Sequence, residues 1–98
     1  MTVQKDPEQN ETKHLHSFAD FTDRRVLEIG CGEGRLTRRY AKSSAVTIGI
    51  DLDRNALRVA TVDRPARLET KVHFVNAESE NLPFQKATFD MAIFAWSF

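Results

Sequence analysis

Residues 26–34 read Val-Leu-Glu-Ile-Gly-Cys-Gly-Glu-Gly, and this stretch decides the fold. A short apolar run ends in a cluster that holds three of the four glycines in the chain, Gly30, Gly32 and Gly34. Glycine adopts positive φ without a steric penalty and lets a ligand approach the backbone closely. The pattern therefore predicts a strand, a tight turn beneath a ligand and a following helix.

The rest of the chain continues this alternation of strands and helices. Helices are predicted over 33–42 and from Asp53 to the helix-ending Pro65, and β-rich runs follow at 45–50, 71–76 and 89–98. Apolar strands separated by helices are typical of a parallel sheet covered on both faces. Right-handed crossovers then predict an α/β, Rossmann-like open parallel sheet with strand order 3-2-1-4.

Length and composition limit the classes of protein that remain. A chain of 98 residues forms one domain at most, and equal numbers of acidic and basic residues disfavour nucleic acid or an anionic membrane as an obligatory partner. No run approaches the roughly 18 apolar residues of a membrane span, and the polar start does not resemble a secretory signal. One cysteine and no metal-ligand spacing argue against disulfides and metal sites. We expect a cytoplasmic protein stabilised by packing.

The two ends of the sequence differ in character. Residues 1–13 are polar and are predicted to form a flexible tail, whereas 14–98 are predicted to form the folded domain, which begins with a short helix near Leu15 and Phe18. The last predicted strand is apolar, as an interior strand should be, and an interior strand left at a sheet edge is a site for pairing. We therefore expect a domain truncated after the fourth strand that self-associates through it.

The glycine spacing separates classes of cofactor. The dinucleotide fingerprint G-x-G-x-x-G requires a glycine where this chain has Arg35, and the G-K-[ST] ending of a P-loop is absent. Glu33 is predicted to lie at the helix N-terminus, where its carboxylate would repel a phosphate. The sequence thus favours a nucleoside ligand without phosphates over NAD or ATP.

Three carboxylates stand near the predicted carboxyl edge of the sheet, where open α/β folds bind ligands. Glu28 interrupts the first strand, Asp51 follows the second strand 21 residues after Gly30, and Glu78 follows the third. Each has a purely structural alternative: an internal ion pair for Glu28, a turn or helix-cap role for Asp51 and solvated turn polarity for Glu78. Their common placement on one rim favours a binding role.

Four segments together resemble the first four motifs of the class I S-adenosylmethionine-dependent methyltransferases, in particular the small-molecule and quinone type. They are 26–34, Gly49-Ile50-Asp51, 78–84 (Glu-Ser-Glu-Asn-Leu-Pro-Phe) and 89–93 (Phe-Asp-Met-Ala-Ile). The resemblance covers about residues 15–98 and implies S-adenosyl-L-methionine as cofactor and a small-molecule methyl acceptor. It implies a cofactor site formed by Glu28, Gly30, Cys31, Gly32, Gly34, Asp51, Leu52, Glu78, Ser79 and Phe94.

The resemblance also implies a role for each part of that site. Glu28 and the backbone of 30–34 would hold the methionine moiety, and Asp51 would accept hydrogen bonds from the ribose. Leu52 would cover one face of the adenine, while Glu78 and the Ser79 amide would meet its ring. Glu78 stands where Asp is usual, and Phe94 where a small residue is common. The resemblance assigns no catalytic residue.

Two other functions stay open on the sequence alone. A module that binds the cofactor without catalysis is one alternative, since no substrate-binding segment is visible in the sequence. A nicotinamide-dependent oxidoreductase is the other, and Glu33 and Arg35 disfavour it. The single thiol, Cys31, has no histidine placed to activate it as a nucleophile.

Overall fold

The computed structural model describes residues 20–82 and 88–95. The predicted tail over 1–13 and most of the predicted first helix lie outside the described residues. So do the last three residues of the predicted fourth strand. No helix in the part that is described is long and apolar enough to cross a bilayer.

Four parallel strands form the sheet, and their order is β3-β2-β1-β4. They are β1 (Arg25–Ile29), β2 (Val46–Asp51), β3 (Val72–Asn76) and β4 (Met91–Phe94). The predicted class and strand order are confirmed. The register places Ile29 beside both Ile50 and Phe94, so the carboxyl ends of these strands form one rim.

The first helix is shorter than the sequence predicts. α1 spans only Thr37–Tyr40 and continues as a 3₁₀ turn over Ala41–Ser43. The glycine cluster occupies the preceding residues with turns, and the N–H of Arg38 donates to the carbonyl of Gly34. Glu33 consequently lies in a turn four residues before α1. The predicted position of Glu33 at a helix N-terminus is wrong, and the helix dipole gives no reason to exclude phosphate there.

The second helix, α2, spans Arg54–Asp63, as its start and stop signals predict. The Asp53 side chain caps it by accepting hydrogen bonds from the N–H groups of Asn55 and Ala56, at 3.0 and 3.1 Å. A second 3₁₀ turn, Ala66–Leu68, follows Pro65. Only part of the apolar pattern of α2 faces the core, because Val62 is 77% exposed.

The larger core cluster combines side chains of β1, β4 and α1 with one residue that precedes β1 and one that precedes α1. It comprises Phe21, Val26, Leu36, Tyr40 and Ile93, all buried. The rings of Phe21 and Tyr40 stack with their centroids 4.3 Å apart. This cluster fixes α1 against β1 and so sets the position of the glycine turn that joins them.

An ion pair joins the amino ends of β1 and β4, at the edge of the sheet opposite the rim. The Arg25 guanidinium contacts the Asp90 carboxylate at 3.0 Å, and the Arg25 backbone N–H donates to the same carboxylate at 2.8 Å. These hydrogen bonds are the main reason that the pKa of Asp90 falls to about 2. The pair secures the start of β4 beside β1.

Candidate functional site

The candidate site lies where β1 ends in the glycine turn. Gly30, Gly32 and Gly34 have φ of 78°, 56° and 80°, a region that side chains with a Cβ rarely adopt. The backbone N–H groups of Gly30 and Cys31 both donate to the carbonyl of Ile50, at 2.9 and 3.0 Å. The turn is therefore fastened to the end of β2 as it leaves β1.

The three glycines serve different purposes. A Cβ on Gly30 would lie 2.8 Å from the carbonyl oxygen of Ala95, and one on Gly34 would lie 3.1 Å from the ring of Phe74. A Cβ on Gly32 would meet nothing within 4 Å. Gly30 and Gly34 thus permit close packing of the chain, whereas Gly32 faces open space in which a ligand can approach the backbone.

The Asp51 carboxylate organises the end of β2. Its Oδ2 accepts a hydrogen bond from the Gly32 N–H at 2.8 Å, and its Oδ1 accepts one from the Asp53 N–H at 2.9 Å. Each carboxylate oxygen has a second lone pair, so these bonds leave acceptor capacity for ligand hydroxyls. Asp51 therefore combines the predicted turn role with the capacity to bind a ribose.

Asn76, at the end of β3, is a site residue that the sequence motifs did not single out. Its Nδ2 donates to the carbonyls of Asp51 and Leu52, at 3.0 and 3.1 Å, and its Oδ1 accepts from Arg54 Nε at 3.1 Å. A polar residue in register with Asp51 at the carboxyl edge was the available signal. Asn76 holds the segment that carries Asp51 and Leu52.

Two cavities of about 350 Å³ each meet at Gly30 and Asp51, which line both. The first cavity extends over the glycine turn, and its other lining residues include Cys31, Gly32, Glu33, Arg35, Asp53 and Ala95. The second extends past β2 and is lined also by Leu52, Ala77, Glu78, Ser79 and Glu80. Together they form a continuous rim along the carboxyl ends of β1, β2 and β3.

Most of the predicted site residues are brought together on this rim. Gly30, Cys31 and Gly32 line the first cavity, while Leu52, Glu78 and Ser79 line the second. Leu52 is 67% exposed beside Asp51, so its apolar surface is accessible to a ligand ring. Glu78 is exposed, and its Oε1 accepts a hydrogen bond from Asn81 Nδ2 at 3.2 Å.

The structure places Glu28 beneath α1. Its side chain is fully buried beneath α1, where Oε1 accepts hydrogen bonds from Thr37 Oγ1 at 2.9 Å and Tyr40 Oη at 2.6 Å. It lines neither cavity. The structure thus gives Glu28 an internal partner set, close to the structural alternative but built from hydroxyl groups in place of a cation.

Gly34 and Phe94 are also absent from the lining of the two cavities. Gly34 is packed against Ala60 and Phe74 and lines neither cavity. Phe94 is 42% exposed and lines a third cavity, which adjoins the second one through the shared lining residues Ile29 and Ser79. The next residue, Ala95, lines the first cavity, and its backbone abuts Gly30.

Cys31 is a packing residue beneath the turn. Burial is the main cause that raises its pKa far above the usual range, and the nearby carboxylates of Glu28 and Asp51 act in the same direction. The side chain is enclosed against Gly49, where an added Cβ would come within 2.9 Å of the sulfur. A thiol in this environment stays protonated and is a poor nucleophile.

The donor and acceptor set of the rim fits a nucleoside ligand. Carboxylates at Asp51 and Glu78 can accept from hydroxyl and amino groups, Leu52 offers an apolar surface, and the open turn at Gly32 leaves space for a ligand chain. No cluster of His, Cys, Asp and Glu within 20–82 and 88–95 could hold a metal ion.

Comparison with known proteins identifies the family of this chain. The sequence profile of the family described as "Methyltransferase domain" matches residues 26–98. The chain is 38% identical over 73 residues to an uncharacterized protein of Haemophilus influenzae, a match that covers 72% of this chain and 29% of that protein. It is 37% identical over 81 residues to the ubiquinone biosynthesis O-methyltransferase of Paraburkholderia phymatum, covering 82% and 34% of the two chains.

Solved structures share the fold. The YcgJ protein from Bacillus subtilis superposes with a TM-score of 0.75 at 25% identity, covering 85% of this chain and 36% of that chain. The [4+2]-cyclase SpnF superposes with a TM-score of 0.71 at 27% identity, covering 86% and 33%. An S-adenosylmethionine-dependent methyltransferase from Mesorhizobium loti gives a TM-score of 0.70 at 23% identity, covering 84% and 37%.

The parallel sheet with cavities at its carboxyl edge defines a Rossmann-like α/β domain. More particularly, the chain belongs to the methyltransferase domain family, and the resemblance to class I S-adenosylmethionine-dependent methyltransferases is confirmed. The chain spans about a third or less of the length of the curated relatives named above.

Proposed function

We propose that the protein binds S-adenosyl-L-methionine along the rim and takes part in transferring its methyl group to a small-molecule acceptor. The observation that carries the proposal is the joining of two cavities at Gly30 and Asp51, one over the open glycine turn and one beside Leu52 and Glu78. This arrangement separates a place for an amino-acid chain from a place for a nucleoside base.

Different residues of the rim would contact different parts of the cofactor. The turn around Gly32 would hold the methionine moiety, the free lone pairs of Asp51 would accept from the ribose hydroxyls, and Leu52 would pack on the adenine. Glu78 and Ser79, which line the second cavity, would meet the polar edge of the base. The placement of Glu28, Gly34 and Phe94 supports an indirect role for each of them.

When bound, S-adenosyl-L-methionine supplies an electrophilic methyl group on a sulfonium sulfur and leaves as a neutral thioether. The protein contributes by fixing the orientation of that group and excluding water, which are the main terms in a reaction governed by proximity and electrostatics. The Asp51 carboxylate, which accepts a hydrogen bond from the Gly32 N–H, would favour a positive charge near the turn.

Relatives supply the expected class of acceptor. The matched proteins include two named as ubiquinone biosynthesis O-methyltransferases and one named as a demethylmenaquinone methyltransferase. We therefore propose a small organic acceptor of the quinone-precursor class, and a location in the cytoplasm.

A cofactor-binding module without methyl transfer is the second candidate. One structural neighbour carries the name of a [4+2]-cyclase, so this fold also serves a protein named for a different reaction. The two candidates share the rim and differ only in whether a methyl group is transferred once the cofactor is bound.

A radiolabel experiment separates these candidates. The folded protein is incubated with S-adenosyl-L-methionine labelled on the methyl group, together with reduced demethylmenaquinone or a cell extract, and label in the small-molecule fraction is counted. Methyl transfer predicts label that depends on the protein and is lost in Asp51→Ala. Binding of S-adenosylhomocysteine without any transfer would favour the module, and absence of binding would reject both.

A further inference from the structure

The outer edge of β3 offers a second binding surface. β3 has β2 on one side and no strand on the other among the residues described. The carbonyl of Lys71 and the N–H of Ala77 bond to β2, at 2.8 and 3.3 Å. Because backbone polar groups alternate in direction along a strand, those of Val72, Phe74 and Asn76 point outward.

The outward groups are only partly satisfied. Arg64 Nη1 donates to the carbonyl of Val72 at 2.7 Å, so this carbonyl is already hydrogen-bonded. Within 20–82 and 88–95, the N–H and C=O of Phe74 have no hydrogen-bond partner. An edge strand with unpaired backbone groups is a template for an added strand.

A groove of about 380 Å³ runs between α2 and this edge. The helix contributes Arg54, Leu57, Arg58 and Val62, and the strand contributes Phe74 and Asn76. Among the residues that the structure describes, no acidic one lines the groove, and it shares no lining residue with the two cavities of the rim. It therefore combines backbone hydrogen-bonding groups, an apolar surface and positive charge at a place outside the two cavities of the rim.

The two arginines are in different states. Arg54 is engaged with Asn76 at 3.1 Å. Arg58, one helical turn further on, is exposed and makes no hydrogen bond or ion pair with any residue that the structure describes. A free guanidinium beside an apolar surface is suited to a carboxylate on a neighbouring apolar chain.

We propose that the groove binds an extended acidic segment of a partner protein, which adds to β3 as a further strand. The backbone of the segment would bond to Phe74, its carboxylates would meet Arg58, and its apolar side chains would pack on Leu57 and Val62. The described lining of the groove contains arginines and no carboxylate. Its charge is therefore complementary to an acidic partner.

The test uses a defined peptide. A fluorescein-labelled heptapeptide, Glu-Thr-Val-Thr-Glu-Thr-Val, presents glutamate and valine on one face when extended, and its anisotropy is followed as the full chain is added. We expect saturable binding that weakens roughly tenfold or more in Arg58→Glu, because attraction becomes repulsion. Arg67→Glu is the matched control: it makes the same charge change at an exposed residue outside the groove and should alter affinity by less than about twofold.

A second pair of peptides tests the backbone contacts without altering the protein. N-methylation is placed on the threonines in one peptide and on the other residues in the second, and we expect one pattern to abolish binding while the other leaves it. Lack of saturable binding, equal loss in both arginine variants, or tolerance of both methylation patterns would overturn the proposal. Binding of S-adenosylhomocysteine, measured in the same samples, reports on the rim separately, so failure here does not touch the proposed function.

Discussion

The carboxylate of Asp51 accepts a hydrogen bond from the backbone N–H of Gly32 at 2.8 Å. This bond connects the end of β2 to the only one of the three turn glycines whose missing Cβ would project into open space. The same aspartate lines both cavities of the rim. The residue proposed to bind the ribose therefore also holds the turn proposed to bind the methionine moiety.

Substitution of the turn glycines should have unequal effects on stability. Gly32→Ala should cost about 1–2 kcal/mol, because alanine must adopt positive φ but meets no neighbour. Gly30→Ala should cost about 1–3 kcal/mol more, since its Cβ would lie 2.8 Å from a backbone oxygen that cannot easily move. Urea unfolding followed by circular dichroism measures both values. Equal costs would contradict the assigned contact with Ala95.

The buried hydroxyl groups around Glu28 should contribute to stability. Tyr40→Phe removes the 2.6 Å bond to Glu28 and should lower the free energy of unfolding by about 1–3 kcal/mol. Thr37→Val removes the other donor to the same oxygen and is the matched comparison. Thermal unfolding of the two variants and the parent measures the losses. If neither variant is destabilised, the network under α1 is not what anchors Glu28.

Tyr40 should ionise only when the protein unfolds. Burial, followed by the nearby Glu28 carboxyl, raises the pKa of this phenol well above 10. An unfolded chain releases the phenol proton near pH 10, so the folded state binds more protons above that pH and stability falls as pH rises. Since Tyr40 is the only tyrosine, absorbance at about 295 nm, where tyrosinate absorbs, reports on it alone.

We therefore expect the absorbance change and the loss of circular dichroism to coincide during alkaline titration. Tyr40→Phe supplies the baseline and should show a shallower dependence of stability on pH above about 10. A smooth titration near pH 10 in a folded protein would show that the phenol is accessible.

The contribution of the Arg25–Asp90 ion pair to stability should be detectable as the pH is lowered. Hydrogen bonds from Arg25 lower the pKa of Asp90 to about 2, below the ordinary value near 3.8. The stabilising contribution is therefore complete above about pH 4 and is lost as pH falls toward 2. Carbon-detected NMR titration of the Asp90 carboxyl should give the low value, and Arg25→Gln should return it toward 3.8. An unchanged pKa in that variant would assign the shift to another cause.

The sequence was sufficient to predict the sheet and most of the rim. The order of strands follows from connection handedness, and Asp51 follows from its distance to Gly30, because both depend on local chain geometry. The length of α1 did not follow, since Gly34 adopts positive φ and residues 33–36 form turns where a helix was predicted.

Side-chain direction set the other limit on prediction. In a strand buried on both faces, nothing in the sequence indicates whether Glu28 faces the ligand edge or the helix, and the contact with Thr37 and Tyr40 decides it. Phe94 and Ala95 line different cavities for the same reason, because successive residues of an extended chain face opposite sides. Asn76 was predictable in principle from its register with Asp51, but only once β3 is paired.

Calorimetric titration with S-adenosylhomocysteine tests the central claim most directly. We predict saturable binding to the parent chain, no comparable binding of NAD, and a loss of roughly 1.5–3 kcal/mol of binding free energy in Asp51→Ala. Circular dichroism establishes that the variant is folded, since Asp51 also holds Gly32. Tight binding of NAD without binding of S-adenosylhomocysteine, or an unchanged dissociation constant in a folded Asp51→Ala variant, would contradict the assignment of the rim as the cofactor site.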